Sequence, residues 1–270
     1  MEFNKSFFLT HPSSVQILIF GALITSLWLA EGLILAIPVG KKWRHTFTNM
    51  LFIVTALPVQ LFMTMFVLLE AARISQNHLG LLQRLPWHQS ILVKYIVGFI
   101  ILDFCEYLYH VIMHKVGLLW KFHLVHHTDQ KLDVSTTVRE HPGETFVRMC
   151  FLMLWIAITG ASFELLLLRQ TIQTVSNITS HTQFRLSDGV DKWVGLIFIT
   201  PNIHHVHHHY QLPYTDCNYG DVLSVWDRIF GTYGKLKPDD TVFGIDTHPD
   251  TNVCKSFIKV LQIPFVSKRA

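Results

Sequence analysis

Histidines are the residues of this chain whose number and spacing most directly indicate chemistry. The 270-residue sequence holds 17 of them, and eight fall into three short patterns, HxxxH, HxxHH and HxxHH. On a helix, residues spaced i, i+3 and i+4 project from the same side. Each pattern therefore presents a compact set of imidazole rings, and neutral imidazole binds iron, zinc, copper and nickel. The three sets are His110 and His114; His123, His126 and His127; and His204, His207 and His208.

Eight candidate ligands are more than one metal ion uses. A tetrahedral zinc ion takes four protein ligands, and an octahedral ion takes six. Two ions with about four imidazoles each fit the count and leave positions open for water, oxygen or substrate. A di-zinc lipid hydrolase is an alternative, although such sites usually include carboxylates that bridge the ions or act as bases. A non-catalytic metal-binding membrane protein is a second alternative.

The elements that must position these rings are apolar helices. Half of the chain (50%) is hydrophobic and only 15% is charged, against about 25% charged residues in a soluble domain. This composition excludes a disordered chain and a soluble enzyme with a charged shell. The net charge of +3 gives no argument for a nucleic-acid partner. We therefore expect an all-α, polytopic integral membrane protein that forms a single membrane-embedded domain over residues 1–270.

Three stretches are expected to cross the membrane before the first histidines, namely 15–39, 46–69 and 91–114. At 1.5 Å per residue each can cross a hydrocarbon core of about 30 Å. A signal peptide is the alternative for the first stretch, but its basic cluster follows the apolar run instead of preceding it. Glu31 interrupts that run as either a functional carboxylate or a snorkelling side chain. Pro58 is expected to kink the second helix.

The segment between the second and third histidine patterns constrains the topology. A single crossing there would put the two patterns on opposite faces of the bilayer. We therefore predict that 145–158 and 162–181 form a membrane-dipping helical hairpin with Gly160 at its bend. The second pattern then lies in 115–144, the third in a helical cap over 182–235, and 236–270 is a cytosolic tail.

Basic residues indicate which side of the membrane the histidines face. With three crossings and a hairpin, only five of the 22 Lys and Arg residues lie on the far side. The positive-inside rule then places the histidine side in the cytosol. The five far-side residues are Lys5, Arg73, Arg84, Lys94 and Arg169.

The sequence around the histidines resembles the fatty acid hydroxylase and sterol desaturase superfamily, whose members are membrane-embedded, histidine-rich di-iron oxidases. The similarity extends over roughly 95–235 and is specific to the superfamily, not to one member. It implies that the eight histidines are iron ligands and that His181, at the end of the returning arm, is a ninth. The segments that carry it besides the histidines are Asp103-Phe-Cys-Glu-Tyr107, Arg139-Glu-His141-Pro142, Pro201-Asn-Ile-His204, Asn218-Tyr-Gly220 and Trp226-Asp-Arg-Ile-Phe-Gly231-Thr232.

The third histidine pattern has two possible registers. His205, His208 and His209 also form an HxxHH, one residue further along. We prefer the register that begins at His204, because Pro201-Asn-Ile leads into it as in the superfamily.

Two carboxylates precede His110 on its predicted helix. Asp103 lies two turns and Glu106 one turn before it. Either could accept the distal N–H of a ligating histidine and fix its tautomer. The alternative is that each pairs with Arg or Lys at the membrane edge.

The resemblance implies an O₂-dependent oxidoreductase with two iron ions. It would hydroxylate or desaturate a C–H bond of a sterol, fatty acyl chain or related lipid that enters from the bilayer, and no catalytic side chain is assigned beyond the metal centre. The sequence shows no flavin fingerprint, no ferredoxin cysteine pattern and no space for an appended cytochrome domain. We therefore expect a separate electron donor of the cytochrome b5, ferredoxin or flavoprotein type.

Overall fold

A computed structural model of the protein describes residues 12–84 and 90–266, whose regular secondary structure is helical. Within them the backbone forms no strand, only two isolated bridges. This confirms the all-α prediction. The helices are α1 (Pro12–Ile34), α2 (Val39–Gln76), α3 (Leu81–Arg84), α4 (Ile91–Lys115), α5 (Gly117–His127), α6 (Pro142–Thr159), α7 (Phe163–Ser180), α8 (Asp188–Val194), α9 (Pro201–His207), α10 (Val225–Ile229), α11 (Thr251–Cys254) and α12 (Phe257–Val266).

The first two helices form an antiparallel pair with a short turn between them. Helix α1 ends at Ile34, earlier than the expected bound at residue 39, because the chain turns at Ala36, whose φ is 50°. Pro38 then caps α2. The helix α2 continues through Pro58 to Gln76 and contains the whole of the predicted second crossing.

Large apolar side chains on these helices face outward. Among the residues that the structure describes, two stretches are long and apolar enough to cross a membrane, 39–84 and 142–159, while the apolar part of α1, Leu18–Ile34, is shorter. On α1, α2 and α4 the exposed residues include Leu33, Phe62 and Ile91. Such an apolar surface on helices with internally satisfied backbones is typical of a membrane protein.

Helices α6 and α7 form a hairpin whose arms and bend lie where the sequence predicts them. Gly160 ends α6 in the left-handed conformation with a φ of 67°, and the Ser162 hydroxyl caps α7 by accepting from the Leu165 backbone N–H. The bend packs on the turn that follows α2. A Cβ on Gly80 would lie 2.2 Å from the backbone nitrogen of Gly160. The hairpin therefore extends to the end of α2 that is remote from the α1–α2 turn.

One basic residue that was expected on the far side lies inside the protein. Arg169 of α7 is buried, and its guanidinium lies 2.8 Å from the Glu106 carboxylate of α4. A buried, paired arginine contributes nothing to a charge bias between loops, so the far-side count was wrong for this residue.

Candidate metal centre

All nine predicted ligands converge in one region of the structure, in two groups. Within each group the candidate ligand atoms lie within 4.8 Å of one another. The rings come from α4, α5, α9 and the residues that follow α7 and α9, so elements far apart in sequence meet here. The five-histidine group is His110, His114, His123, His127 and His207, and the four-histidine group is His126, His181, His204 and His208.

Within α9 the rings separate according to position on the helix. Thr200 caps the helix, its hydroxyl accepting from the Ile203 N–H, and Pro201 occupies the first turn. The next ring after His204 belongs to His205 and points away from both groups, with Nε2 2.8 Å from the Thr182 carbonyl oxygen. His209 also lies outside both groups. Its Nδ1 accepts from the Val242 backbone N–H at 3.2 Å. The structure thus brings the histidines of the register that begins at His204 together with the other candidate ligands.

Backbone carbonyls set the tautomer of two rings in the five-histidine group. Nδ1 of His110 donates to the Tyr219 carbonyl oxygen at 2.9 Å, and Nδ1 of His207 donates to that of Cys217 at 2.7 Å. A carbonyl oxygen only accepts, so the proton lies on Nδ1 in each ring. Nε2 therefore carries a free lone pair, as a metal ligand requires.

Two carboxylates fix the tautomer of two other rings in the five-histidine group. Nδ1 of His123 donates to Oε1 of Glu144 at 2.6 Å, and Nδ1 of His114 donates to Oδ1 of Asp216 at 3.2 Å. A carboxylate partner raises the basicity of a ligating ring and fixes its orientation.

The two carboxylates considered in the sequence analysis have other partners, and Glu106 follows the alternative given there, an ion pair with a basic residue. Asp103 accepts from the Trp226 indole N–H at 2.8 Å and from the Leu223 N–H, while Glu106 pairs with Arg169. Neither contacts a histidine through the hydrogen bonds found in the described part of the chain. The contributions of Glu144 and Asp216 arise from tertiary contacts, although Glu144 lies two residues after the Arg139-Glu-His141-Pro142 segment.

The four-histidine group is arranged in the same way. Nδ1 of His126 donates to the Arg139 carbonyl oxygen at 3.2 Å, and Nδ1 of His181 donates to that of Asn177 at 2.7 Å. Their Nε2 atoms lie 3.0 Å apart, and Nε2 of His204 lies 3.0 Å from that of His181. Since both Nδ1 atoms hold the proton, the facing Nε2 atoms of His126 and His181 both present lone pairs.

These facing lone pairs fit a bound cation. Burial lowers the pKa of His204 and of His208 well below the ordinary value, so neither ring carries a charge at neutral pH. Two lone pairs cannot hydrogen-bond to each other, and their repulsion is relieved when both donate to one metal ion. In the five-histidine group, Nε2 of His114 and of His207 are likewise buried and have no hydrogen-bond partner within the described residues. The donor set of nine neutral imidazoles suits iron, zinc, copper or nickel.

Comparison with known proteins identifies the family. The sequence profile of the fatty acid hydroxylase family matches residues 95–232, about half of the chain. The chain belongs to the fatty acid hydroxylase family. All nine histidines of the two groups lie within the matched range.

Characterised relatives of this fatty acid hydroxylase family member are lipid-modifying enzymes by name. It is 29% identical over 174 residues to an ornithine lipid hydroxylase of Rhizobium tropici, which covers 64% of this chain and 50% of that protein. It is 30% identical over 170 residues to the alkylglycerol monooxygenase of Homo sapiens, with coverage of 61% and 35%. Methylsterol monooxygenase 2-2 of Arabidopsis thaliana is 27% identical over 157 residues, with coverage of 57% and 58%. The chain thus spans about half or less of the first two relatives, and no solved structure matches it.

A cavity of 390 Å³ in this family member reaches both histidine groups. One wall is apolar and comes from α1 and α2, which contribute Ile24, Ile53 and Leu57. These residues precede the range that matches the family profile. The rings of His123 and His126 line the cavity on the side of the metal centre. Much of the remaining lining is polar and includes Glu106, Gln173 and Asn177, so the cavity offers an apolar surface and a polar one to a ligand.

Proposed function

We propose that the chain is an O₂-dependent lipid oxygenase that holds two iron ions, one in each histidine group. The observation that carries the proposal is the pair of His126 and His181, whose unprotonated Nε2 atoms face each other at 3.0 Å. When bound, the iron pair would supply the activation of O₂ that oxidation of an unactivated C–H bond requires.

The chain's own residues orient the ligands. Glu144, Asp216 and the carbonyls of Tyr219 and Cys217 hold the protons of the distal ring nitrogens, so that each ring keeps one orientation. Such partners increase the affinity of a histidine site for its metal. The cavity beside the rings is lined in part by aliphatic side chains of α1 and α2, which offer an apolar surface to an alkyl chain.

A lipid C–H bond is the proposed target. The cavity joins the histidines to two helices with exposed apolar faces, so that a lipid can enter from a bilayer. Three relatives are named hydroxylase or monooxygenase, which favours hydroxylation over desaturation.

The composition of the two groups argues against the di-zinc hydrolase. Each group consists of histidines alone among the residues that the structure describes. The carboxylates of Glu144 and Asp216 accept from Nδ1 of ring ligands and do not belong to either group. The bridging carboxylate that two-zinc hydrolases usually use is therefore not among the grouped residues.

The membrane arrangement is part of the proposal. We propose a single membrane-embedded domain with three crossings, in α1, α2 and α4, and a membrane-dipping hairpin formed by α6 and α7. The histidine side faces the cytosol, because basic residues are enriched there even without Arg169. We propose a separate donor protein as the source of electrons. The four cysteines are free thiols, and none joins a metal-binding group in the described ranges.

Metal analysis combined with lipid analysis tests this function. The purified chain should contain about two iron ions, and cells that express it should accumulate a lipid heavier by one oxygen atom. His126→Ala should abolish the new lipid and lower the iron content, whereas His205→Ala, adjacent to His204 but outside both groups, should change neither. Zinc without iron in an active preparation would contradict the proposal, as would an unchanged lipid profile in the His126→Ala strain.

A further inference from the structure

Part of the cavity lining is polar, and three of its residues carry buried polar atoms with no hydrogen-bond partner in the described part of the chain. These atoms are the hydroxyl of Tyr109, Oε2 of Glu144 and Nε of Arg148. The Tyr109 and Glu144 residues are 6% and 5% exposed. Leaving a buried polar group unsatisfied costs about 1–3 kcal/mol, so three such groups at one cavity indicate that a ligand satisfies them. We call these three residues the polar subsite.

The three residues of the polar subsite lie close together. Glu144 and Arg148 are four residues apart on α6 and so occupy the same face of that helix. Tyr109 of α4 packs against the same helix, its ring centroid 5.4 Å from that of Phe151. The other carboxylate oxygen of Glu144 accepts from Nδ1 of His123 at 2.6 Å. The polar subsite therefore contacts a ring of the five-histidine group directly, through the carboxylate of Glu144.

Hydrogen-bonding capacity restricts what the polar subsite can hold. A carboxylate oxygen of Glu144 only accepts, and the Nε of Arg148 only donates. One ligand group that satisfies both must donate and accept, as a hydroxyl does. A carboxylate or phosphate dianion has no proton for Glu144, and an ammonium group has no lone pair for Arg148.

The charge of Arg148 is balanced within the protein. Arg148 lines the cavity, and its guanidinium is paired with Glu140 at 2.8 Å. Arg148 therefore offers its Nε as a hydrogen-bond donor and does not by itself select an anionic ligand group.

We propose that the polar subsite binds a hydroxyl group of an uncharged lipid and directs oxidation to a carbon within a few bonds of that hydroxyl. The inference rests on the proposed function and specifies its substrate class. The alkyl chain then lies along the aliphatic part of the lining, Ile24, Ile53 and Leu57. In the reaction one atom of O₂ replaces the hydrogen of a C–H bond as a hydroxyl group. The other atom leaves as water, with two electrons from the separate donor protein and two protons from solvent.

Anaerobic binding measurements test the subsite without turnover. The iron-loaded full chain in nanodiscs is titrated with a labelled long-chain vicinal diol, in competition with the acid, the primary amine and the alkane of equal chain length. We expect the diol to bind at least about fivefold more tightly than each competitor, the effect of about one buried hydrogen bond. Equal or tighter binding of the acid, the amine or the alkane would overturn the proposal.

A pair of matched substitutions links the effect to the cavity. Tyr109→Phe should weaken diol binding about fivefold to tenfold and leave alkane binding unchanged, because it removes one hydroxyl and no apolar surface. Tyr107→Phe removes a hydroxyl that is hydrogen-bonded to Thr232 at 3.0 Å on the neighbouring aromatic cluster, and should bind the diol like the wild type. Wild-type diol affinity in a folded Tyr109→Phe protein would contradict the subsite.

The position of the new hydroxyl group separates this inference from the proposed function. With O₂ and a reductant, the diol should gain its oxygen near the existing hydroxyls, as located by fragmentation mass spectrometry. Oxidation in the middle or at the end of the chain would refute the subsite and leave the oxygenase function intact. Selective diol binding without oxidation of any of the lipids would instead support the subsite and refute the oxygenase.

Discussion

Glu31 of α1 and Lys42 of α2 form a buried ion pair across the first turn, with Oε2 and Nζ 2.7 Å apart. The other oxygen of Glu31 accepts from the backbone N–H groups of Val134 at 3.3 Å and Gln183 at 2.8 Å. One carboxylate therefore joins the first helix pair to the segment after the second histidine pattern and to the segment after the hairpin. The intramembrane carboxylate of the sequence analysis is a structural contact between α1 and the histidine-bearing segments.

Removing this carboxylate should destabilise the protein strongly. In Glu31→Ala, Lys42 keeps only Asp133, whose carboxylate lies 3.6 Å away, and two buried amides lose their acceptor. Breaking a buried ion pair from one side costs about 3–5 kcal/mol, so the thermal unfolding midpoint of the detergent-solubilised protein should fall markedly. The control is Glu70→Ala, which removes an exposed pair with Arg73 and should unfold like the wild type. Equal midpoints for both variants would show that the buried pair contributes nothing.

The sequence predicted the parts of this structure that depend on local spacing. The helical spacing of His123, His126 and His127 indicated that their rings share one side, and the need to return the third pattern to the same site predicted the bend at Gly160. The partners of the rings depend on tertiary packing instead. Glu144 and Asp216 lie on segments whose approach to the rings no pattern in the chain encodes, so their contacts could not be predicted.

Adjacent histidines of α9 should differ in their effect on metal binding. His204 belongs to the four-histidine group, whereas His205 bonds to the Thr182 carbonyl. His204→Ala should therefore reduce iron from about two ions per chain to about one, as measured by elemental analysis of purified protein. His205→Ala serves as the matched control and should retain the full content. The opposite result would mean that the third pattern binds metal in its alternative register.

Acid should destabilise the metal-free protein. Burial lowers the pKa of His181 to about 4 and that of His207 to about 3, while the pKa of a histidine in the unfolded chain is about 6.5. Between these values the unfolded chain binds more protons than the folded chain, so stability is greatest above pH 6.5 and decreases as the pH falls toward pH 4. Each ring contributes about 1.4 kcal/mol per pH unit over that range.

Denaturant unfolding of chelator-treated protein at several pH values measures this dependence. His207→Asn should have a shallower dependence on pH than the wild type, because one of the buried titrating rings is gone. A free energy of unfolding that is constant or rises as the pH is lowered through this interval contradicts neutral, buried rings in the metal-free state.

The contact between Gly80 and Gly160 should not tolerate a side chain. Gly80 has a φ of 96°, and its Cβ would lie 2.2 Å from the nitrogen of Gly160. Gly80→Ala therefore adds backbone strain, about 1–3 kcal/mol, to a clash that moves the hairpin away from the end of α2. We expect a lower unfolding midpoint and reduced iron content. Gly189→Ala places a Cβ where no atom lies within 4 Å and should match the wild type in both measurements.

Cysteine labelling tests the proposed topology, because exposed residues at the two ends of the molecule should be accessible from opposite sides of the membrane. Asn77 follows α2, and Lys235 lies after the third histidine pattern; both are exposed. A membrane-impermeant maleimide should label Asn77→Cys in intact cells and Lys235→Cys only after permeabilisation. The unsubstituted chain is the control, since Cys105, Cys217 and Cys254 are buried and Cys150 is partly buried. The reverse pattern would mean that the protein is inserted in the membrane with the opposite orientation. Labelling of both sites in intact cells would mean that they lie on the same side of the membrane, separated by an even number of crossings.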